Sequence, residues 1–268
     1  MKPKILLLST GGTIAAVPTA NGLQPGQTGA HLLSMLGRLP YDVTVQDILQ
    51  LDSTNIQPEE WQFIAERVYT LRKGYAGVVV THGTDTMAYT ASMLTFMLSG
   101  LDVPVVLTGS QLPISNPLSD APYNLRCALE MAVSGVPGVF IAFDRKVLLG
   151  CRSVKVRTTG FNAFESVKAP VVAEVNSDGL CFTDPLPPRP AGPCVLKKEL
   201  DSRVVLIKLI PGMDPGLFRA LAEGVIPGED MTSECAATKL MWALGQGMAT
   251  AEIAEFFQTN VAGEVTLR

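Results

Sequence analysis

Four short apolar runs, Lys4–Ser9, Gly77–Thr81, Pro104–Thr108 and Gly138–Phe143, are continuous rather than alternating. Strands buried on both faces of a parallel sheet read this way, because helices cover each side. Between them the spacing turns helical. Pro58 stands at a first helical position, Trp61, Ile64, Val68 and Leu71 follow on one face, and Gly74 closes the stretch. Asp120 is placed to cap a helix through Leu125, Leu129 and Ala132 to Gly135, and Thr86–Leu98 is apolar nearly all round, as a buried helix is. Strand and helix alternate, so the fold class predicted is α/β with right-handed crossovers.

The pattern breaks at Thr183–Cys194, where 5 of 12 residues are proline and neither a central strand nor a helix can continue. This divides the chain into a parallel-sheet N-terminal domain over residues 1–182, a proline-rich linker over 183–194, and a smaller, truncated α/β C-terminal domain over 195–268. The last part carries one clear strand, Arg203–Ile210, a short helix around Asp214–Ala222, and two helices near Thr232–Leu244 and Thr250–Phe257. That is too little to enclose its own core, so it must lean on the first domain or on another chain.

Composition narrows the chemistry. With 21 Lys+Arg against 25 Asp+Glu the net charge is −4, with no basic excess for nucleic acid or an anionic membrane surface. Only His31 and His82 occur, which leaves no histidine-built metal cage, and no metal or organic cofactor is expected. The five cysteines are widely spaced without a C-x-x-C pair, so a reducing cytoplasm is the expected setting. Met1–Lys4 runs into Ile5–Leu8 without a basic n-region, a long apolar core and a cleavage site, so no export signal is expected. The most apolar helical stretch, Thr86–Leu101, falls short of the roughly 18 residues that a membrane span needs.

Three of the strands are followed by loops of one chemistry: Ser9-Thr10-Gly11-Gly12-Thr13, Thr81-His82-Gly83-Thr84-Asp85-Thr86 and Thr108-Gly109-Ser110-Gln111. In an open parallel sheet these strand ends share one edge, where ligands bind. Glycines let backbone N–H groups come close, threonine and serine bring hydroxyls, and helix N-termini favour negative charge, so a carbonyl that becomes an oxyanion suits the place. Neither G-x-G-x-x-G nor a phosphate-loop lysine is present, which disfavours a nucleotide. No charged residue occurs over Ile5–Gly37 or Val103–Ser119, so Asp85 is the carboxylate within the loops, and the candidate cation sits in Cys151-Arg152-Ser153-Val154-Lys155-Val156-Arg157. A lysine desolvated in such a crevice can activate a hydroxyl while the carboxylate orients it. Each residue alone has a plainer reading: a turn threonine, a surface lysine, a capping aspartate, and His82 as a part-buried neighbour of Asp85. The combination is what points to chemistry.

The motifs T-G-G-T-I-A at Thr10–Ala15 and T-H-G-T-D-T-M-A-Y-T-A at Thr81–Ala91 resemble the two signatures of the bacterial-type L-asparaginases, most like the cytoplasmic type I branch. The likeness continues through L-D-S-T-N at Leu51–Asn55, L-T-G-S-Q at Leu107–Gln111, D-A-P-Y-N-L at Asp120–Leu125, R-S-V-K-V-R at Arg152–Arg157 and G-E-D-M-T-S-E-C at Gly228–Cys235. The resemblance implies an amidohydrolase that converts L-asparagine, or L-glutamine, to the acid and ammonia through an acyl-enzyme. It implies Thr13 as nucleophile; Thr84, Lys155 and Asp85 as hydroxyl, base and orienting carboxylate; Ser53 and Thr54, with Asp85, as the amino-acid-binding groups; and the backbone near Thr84 and Ser110 for the amide oxygen. It further implies a homodimer or homotetramer.

Two places depart from the family pattern. Leu23 stands where many members carry a tyrosine in the lid loop, here Ala16–Gly29, and a strand-helix-strand segment is missing before Gly224. Two other functions fit the same loops: the ammonia-supplying component of a tRNA amidotransferase, and a non-catalytic amino-acid-binding or subunit-interaction protein.

Overall fold

A computed structural model describes residues 2–20, 22–189, 192–208, 211–212 and 226–266. In chain order the strands are β1 (Lys4–Gly11), β2 (Ala16–Thr19), β3 (Gly22–Pro25), β4 (Asp42–Leu51), β5 (Gly77–Thr81), β6 (Leu98–Ser99), β7 (Pro104–Thr108), β8 (Gly138–Phe143), β9 (Lys146–Leu149), β10 (Ser153–Lys155), β11 (Phe164–Ser166), β12 (Ala173–Asn176), β13 (Gly179–Phe182) and β14 (Val195–Leu196). The helices are α1 (Gly29–Ser34), α2 (Pro58–Leu71), α3 (Met87–Met97), α4 (Ala121–Ala132), α5 (Ser233–Gly245) and α6 (Thr250–Gln258). The four apolar runs are β1, β5, β7 and β8, and Ile5–Leu8, Val78–Val80 and Val105–Leu107 have no exposed surface.

Eight strands form one sheet in the order β13-β12-β9-β8-β7-β5-β1-β4. Pairing is parallel from β8 to β4, and β9, β12 and β13 extend the sheet antiparallel beyond β8. Among the five parallel strands β1 lies between β4 and β5, so chain order reverses there; this is the switch point at which open α/β sheets bind ligands. The register sets Ser9 beside Thr81 and Thr81 beside Thr108, so the three loops leave the sheet at one level.

The edge strand β4 was not anticipated. Its residues, DVTVQDILQL, are all exposed or half-buried, so it lacks the continuous apolar run that marks the buried strands. Asp120 does stand at the N-cap of α4, but its carboxylate does not cap the helix backbone; it accepts the Gln111 and Leu112 backbone N–H groups and the Asn124 side-chain amide.

Beyond the linker the expectation of a small α/β domain changes. Pro190 and Ala191 lie outside the described residues, as do Leu209 and Ile210 of the expected strand and the helix placed at 214–222. Residues 203–208 form no strand, because a strand exists only when paired and no partner strand stands beside them among the described residues. Val205 is 80% exposed, Leu206 61% and Ile207 50%. The two later helices are present as α5 and α6, and they do lean on the first domain. Cys235, Trp242, Ala243, Ile253 and Phe257 join the core that β1, β5 and α3 begin, and the Trp242 ring lies 6.4 Å from that of Phe96.

The Arg152–Asp230 salt bridge fastens this seam, and a second, sealed pair beside it braces the C-terminal part against its own tail. Arg152, 2% exposed, donates to the Gly263 carbonyl at 2.7 Å, the Asp230 carbonyl at 3.1 Å and the Thr266 hydroxyl at 3.2 Å, and pairs with the Asp230 carboxylate at 3.0 Å. Lys239 and Glu264, both with fully buried side chains, pair at 2.6 Å. Glu264 also accepts the Val261 and Ala262 N–H groups, and Lys239 donates to the Thr259 carbonyl. A buried ion pair is tolerated when further hydrogen bonds satisfy it in this way.

Candidate active site

The loops at the switch point meet as backbone. Gly12 (φ 77°) is packed so closely that a Cβ there would lie 2.4 Å from the Gly83 nitrogen, and one on Gly83 would lie 2.5 Å from Ser53 Oγ. Only glycine permits both approaches. Thr13, half-buried, opens a 3-10 turn one residue beyond this contact, and Thr84 follows Gly83 on the other side. The Thr10 hydroxyl is donated to the Thr81 carbonyl at 2.7 Å, joining β1 to β5 immediately below.

Lys155 ends β10, and its side chain is 14% exposed, not the surface lysine its valine neighbours suggest. Its Nζ donates to Thr84 Oγ1 at 2.7 Å and to Asp85 Oδ1 at 2.6 Å. Residues far apart in sequence are thus brought within one hydrogen-bonded cluster. Asp85 is not the cap of α3; Thr86 holds that position and donates its hydroxyl to the Ser53 carbonyl. The Asp85 side chain is 53% exposed, which leaves it an open face beside its lysine contact.

Ser53 is buried, and its Oγ accepts the Asp85 N–H at 3.2 Å. Thr54 is exposed, with its hydroxyl and its N–H both given to Asp52 at 2.9 Å. The Ser110 hydroxyl is buried and given to the Leu112 carbonyl, so at Ser110 the backbone rather than the side chain is left to meet a ligand. The lid region is a hairpin of β2 and β3 in which Leu23 pairs with Pro18 and stands 52% exposed. A pocket of about 390 Å³ opens between Leu23–Pro25 and Gln50–Asn55, leading from the lid to the Ser53 turn.

His82 corrects an expectation. It is fully buried and touches Gly83 and Thr90, not Asp85: Nδ1 donates to the Gly83 carbonyl at 2.7 Å and Nε2 accepts from Thr90 Oγ1 at 3.0 Å. Trp61 Nε1 donates to the same Thr90 oxygen, which fixes the direction of every proton in the chain. Burial, opposed by the Gly83 hydrogen bond, pushes the imidazole down to about 4, so it is neutral and structural at pH 7.

Two polar residues escaped the sequence reading. Asn124 donates to the Gly109 carbonyl and accepts the Asp144 N–H, bracing the loop after β7. Gln111 reaches Thr84 Oγ1 at 3.4 Å and donates to the Thr158 and Gly160 carbonyls at 3.0 Å each. Its place in the T-G-S-Q loop at the same strand edge was the available signal. Among the described residues no group of three or more His, Cys, Asp or Glu side chains is arranged to hold a metal, and no helix is long and apolar enough to cross a membrane.

An open α/β sheet with hydroxyl-bearing loops and a lysine-carboxylate pair at its switch point is an arrangement that suits a hydrolase. The chain belongs to the asparaginase family: the model of the asparaginase N-terminal domain matches residues 4–187. An L-asparaginase of Thermococcus kodakarensis is 38% identical, over 98% of this chain and 99% of that protein. The solved structure of the thermostable L-asparaginase from that organism superimposes with a TM-score of 0.91 at 37% identity, covering 98% of this chain and 99% of the other. The L-asparaginase 1 of Escherichia coli K12 is 31% identical, over 99% of this chain and 98% of that protein. A component of the glutamyl-tRNA(Gln) amidotransferase of Pyrococcus furiosus is 32% identical over 98% of this chain, and the match takes in 77% of that longer protein. The alignment with the Thermococcus protein runs over 326 positions against 268 residues here, so dozens of its residues have no counterpart in this chain.

Proposed function

We propose that the chain converts L-asparagine to L-aspartate and ammonia through a threonine-bound acyl-enzyme. The observation that carries this reading is the Lys155 ammonium group within 2.7 Å of Thr84 and 2.6 Å of Asp85, at the edge where Thr13 also lies. The side-chain carbonyl of asparagine takes the Thr13 oxygen, the C–N bond breaks, and ammonia leaves with the hydroxyl proton. Water then cleaves the ester on Thr13. Thr84, held by Lys155 and oriented with Asp85, moves protons in this sequence. Backbone N–H groups near Thr84 and Ser110 receive the developing oxyanion, where one donor is typically worth about 3 kcal/mol of barrier.

Ser53 and Thr54, with the open face of Asp85, hold the amino acid's carboxylate and ammonium. The same reading places the protein in the cytoplasm as a homodimer or homotetramer, with the uncovered run Val205–Ile207 as apolar surface for assembly. Thr13→Ala and Thr84→Val are each expected to abolish ammonia release from L-asparagine while leaving the melting temperature within a few degrees. Wild-type rates in both variants would refute the reading. Asparagine binding by calorimetry with no ammonia produced would instead favour a non-catalytic binder.

A further inference from the structure

The Gln111 side chain is a neutral group that joins the Thr84 hydroxyl to the segment carrying the lysine. Both Nε2 hydrogens are spent on backbone carbonyls, Thr158 and Gly160, which settles the orientation of the amide and turns Oε1 toward Thr84. An amide oxygen only accepts, so at the 3.4 Å contact the hydrogen is that of the Thr84 hydroxyl. On its other side Thr84 Oγ1 accepts from Lys155. The hydroxyl proton therefore points at Gln111, and the Thr84 oxygen presents a lone pair to Lys155. The carbonyls that Gln111 holds belong to the loop running from Lys155 at the end of β10 toward β11. The backbone of Gln111 is fixed in turn by both oxygens of Asp120, at 3.1 and 3.0 Å.

We propose that Gln111 is a positioning residue for the hydrolysis: its amide oxygen orients the Thr84 hydroxyl while its amide nitrogen pins the loop that follows Lys155. This rests on the reading of Thr84 and Lys155 given above. Gln111 acts through Thr84 and need not touch the substrate, so its loss is felt in turnover more than in binding.

The test is ammonia release from L-asparagine by the full chain, with kcat and KM measured from pH 4.5 to 9 for wild type, Gln111→Met and Gln111→Glu. Gln111→Met is expected to lower kcat about 10- to 100-fold, the scale of a small misplacement of a reacting group, with KM within about threefold. Gln111→Glu presents a carboxylate to two carbonyl oxygens and to Thr84. Its kcat relative to wild type is expected to be low at pH 8 and to rise at the acid end, where a protonated carboxyl again donates a hydrogen. A purely structural loss would not recover with acid. A kcat within twofold of wild type in both variants, or a Glu-to-wild-type ratio flat with pH, overturns the proposal. If Thr84→Val is inactive while both Gln111 variants are normal, only this inference falls; if the wild-type chain releases no ammonia, the functional reading falls and takes it along.

Discussion

The switch point and the C-terminal seam both rely on lysine paired with a carboxylate at 2.6 Å, yet they use it oppositely. Beside the seam, within the C-terminal part, the Lys239–Glu264 pair has no exposed surface, and Glu264 spends its remaining capacity on backbone N–H groups. At the site the Lys155 partner, Asp85, keeps 53% of its side chain exposed. A charge that must meet a substrate has to stay reachable, so its pairing contributes little stability; a charge that ties two parts of a chain together can be sealed, and then it cannot lose its partner cheaply. The expectation is that damage at the site removes activity and leaves the fold, whereas damage at the seam does the reverse.

The largest effect is expected at the sealed pair. Glu264→Gln or Lys239→Met leaves one charge buried without its counter-charge, which typically costs about 3–5 kcal/mol. Urea denaturation should show that loss, while ammonia release per folded molecule stays near wild type at low temperature. The double variant Lys239→Met/Glu264→Leu should recover a large part of the loss, because no charge is then stranded. Single variants that unfold at the wild-type urea midpoint would remove the distinction between the two regions.

The same contrast decides what could be read from the chain alone. The buried strands β1, β5, β7 and β8 were legible because burial on both faces leaves continuous apolar runs, and the reactive loops were legible because parallel strands deliver their ends to one edge. The absence of charge from the first and third loops pointed to Asp85 and to a cation at 151–157, and the family resemblance then assigned Lys155, Thr84 and Asp85 their places. Arg152 stood in the same motif, but its partners Asp230, Gly263 and Thr266 lie far along the chain, and no local pattern announces such a clamp. Residues 203–208 show the converse failure: strand propensity describes what a segment can pair as, and the pairing itself depends on a neighbour. His82 read as a part-buried neighbour of Asp85; that it is fully buried, with its ring spent on Gly83 and Thr90, required the fold.

His82 gives the next effect. Its imidazole is held at about 4 by burial, below the ordinary 6.5, so the unfolded chain binds more protons than the folded one between those values. Stability present above pH 6.5 should therefore fall as pH drops toward 4, by about 3 kcal/mol in total. His82→Gln, neutral throughout, should flatten that part of the stability profile. Unchanged acid sensitivity in the variant would show that another group is responsible.

Asp230 should act later and more weakly. Burial alone would raise its carboxyl, but hydrogen bonds from Thr266 and Arg152 outweigh this and bring it down to about 2. The folded chain thus holds fewer protons than the unfolded one below the ordinary 3.8, and the stability Asp230 contributes is lost as pH falls from there toward 2. Its side chain is 24% exposed, and screening limits the contribution to about 1 kcal/mol. Asp230→Asn should reduce acid sensitivity only in that window. A change centred near pH 6 would contradict the assignment.

The smallest effect sharpens the comparison most, because it lies on the hairpin that carries Lys155. Arg157 and Glu165 pair across β10 and β11 at 2.7 Å, a distance close to that of the sealed pair, with side chains 44% and 53% exposed. If distance governed stability, Glu165→Gln would cost as much as Glu264→Gln. If burial governs it, the pair is worth less than about 0.5 kcal/mol, and a double-mutant cycle with Arg157→Gln should give a coupling that fades further in 1 M salt. Ammonia release by Glu165→Gln should stay near wild type, since Arg157 keeps its bond to the Asn162 carbonyl and Gln111 holds the loop beyond Lys155 through Thr158 and Gly160. A coupling above about 1 kcal/mol would mean that this exposed pair supports the hairpin as firmly as a buried one, and the division between a reachable site and a sealed seam would have to be redrawn around Lys155 itself.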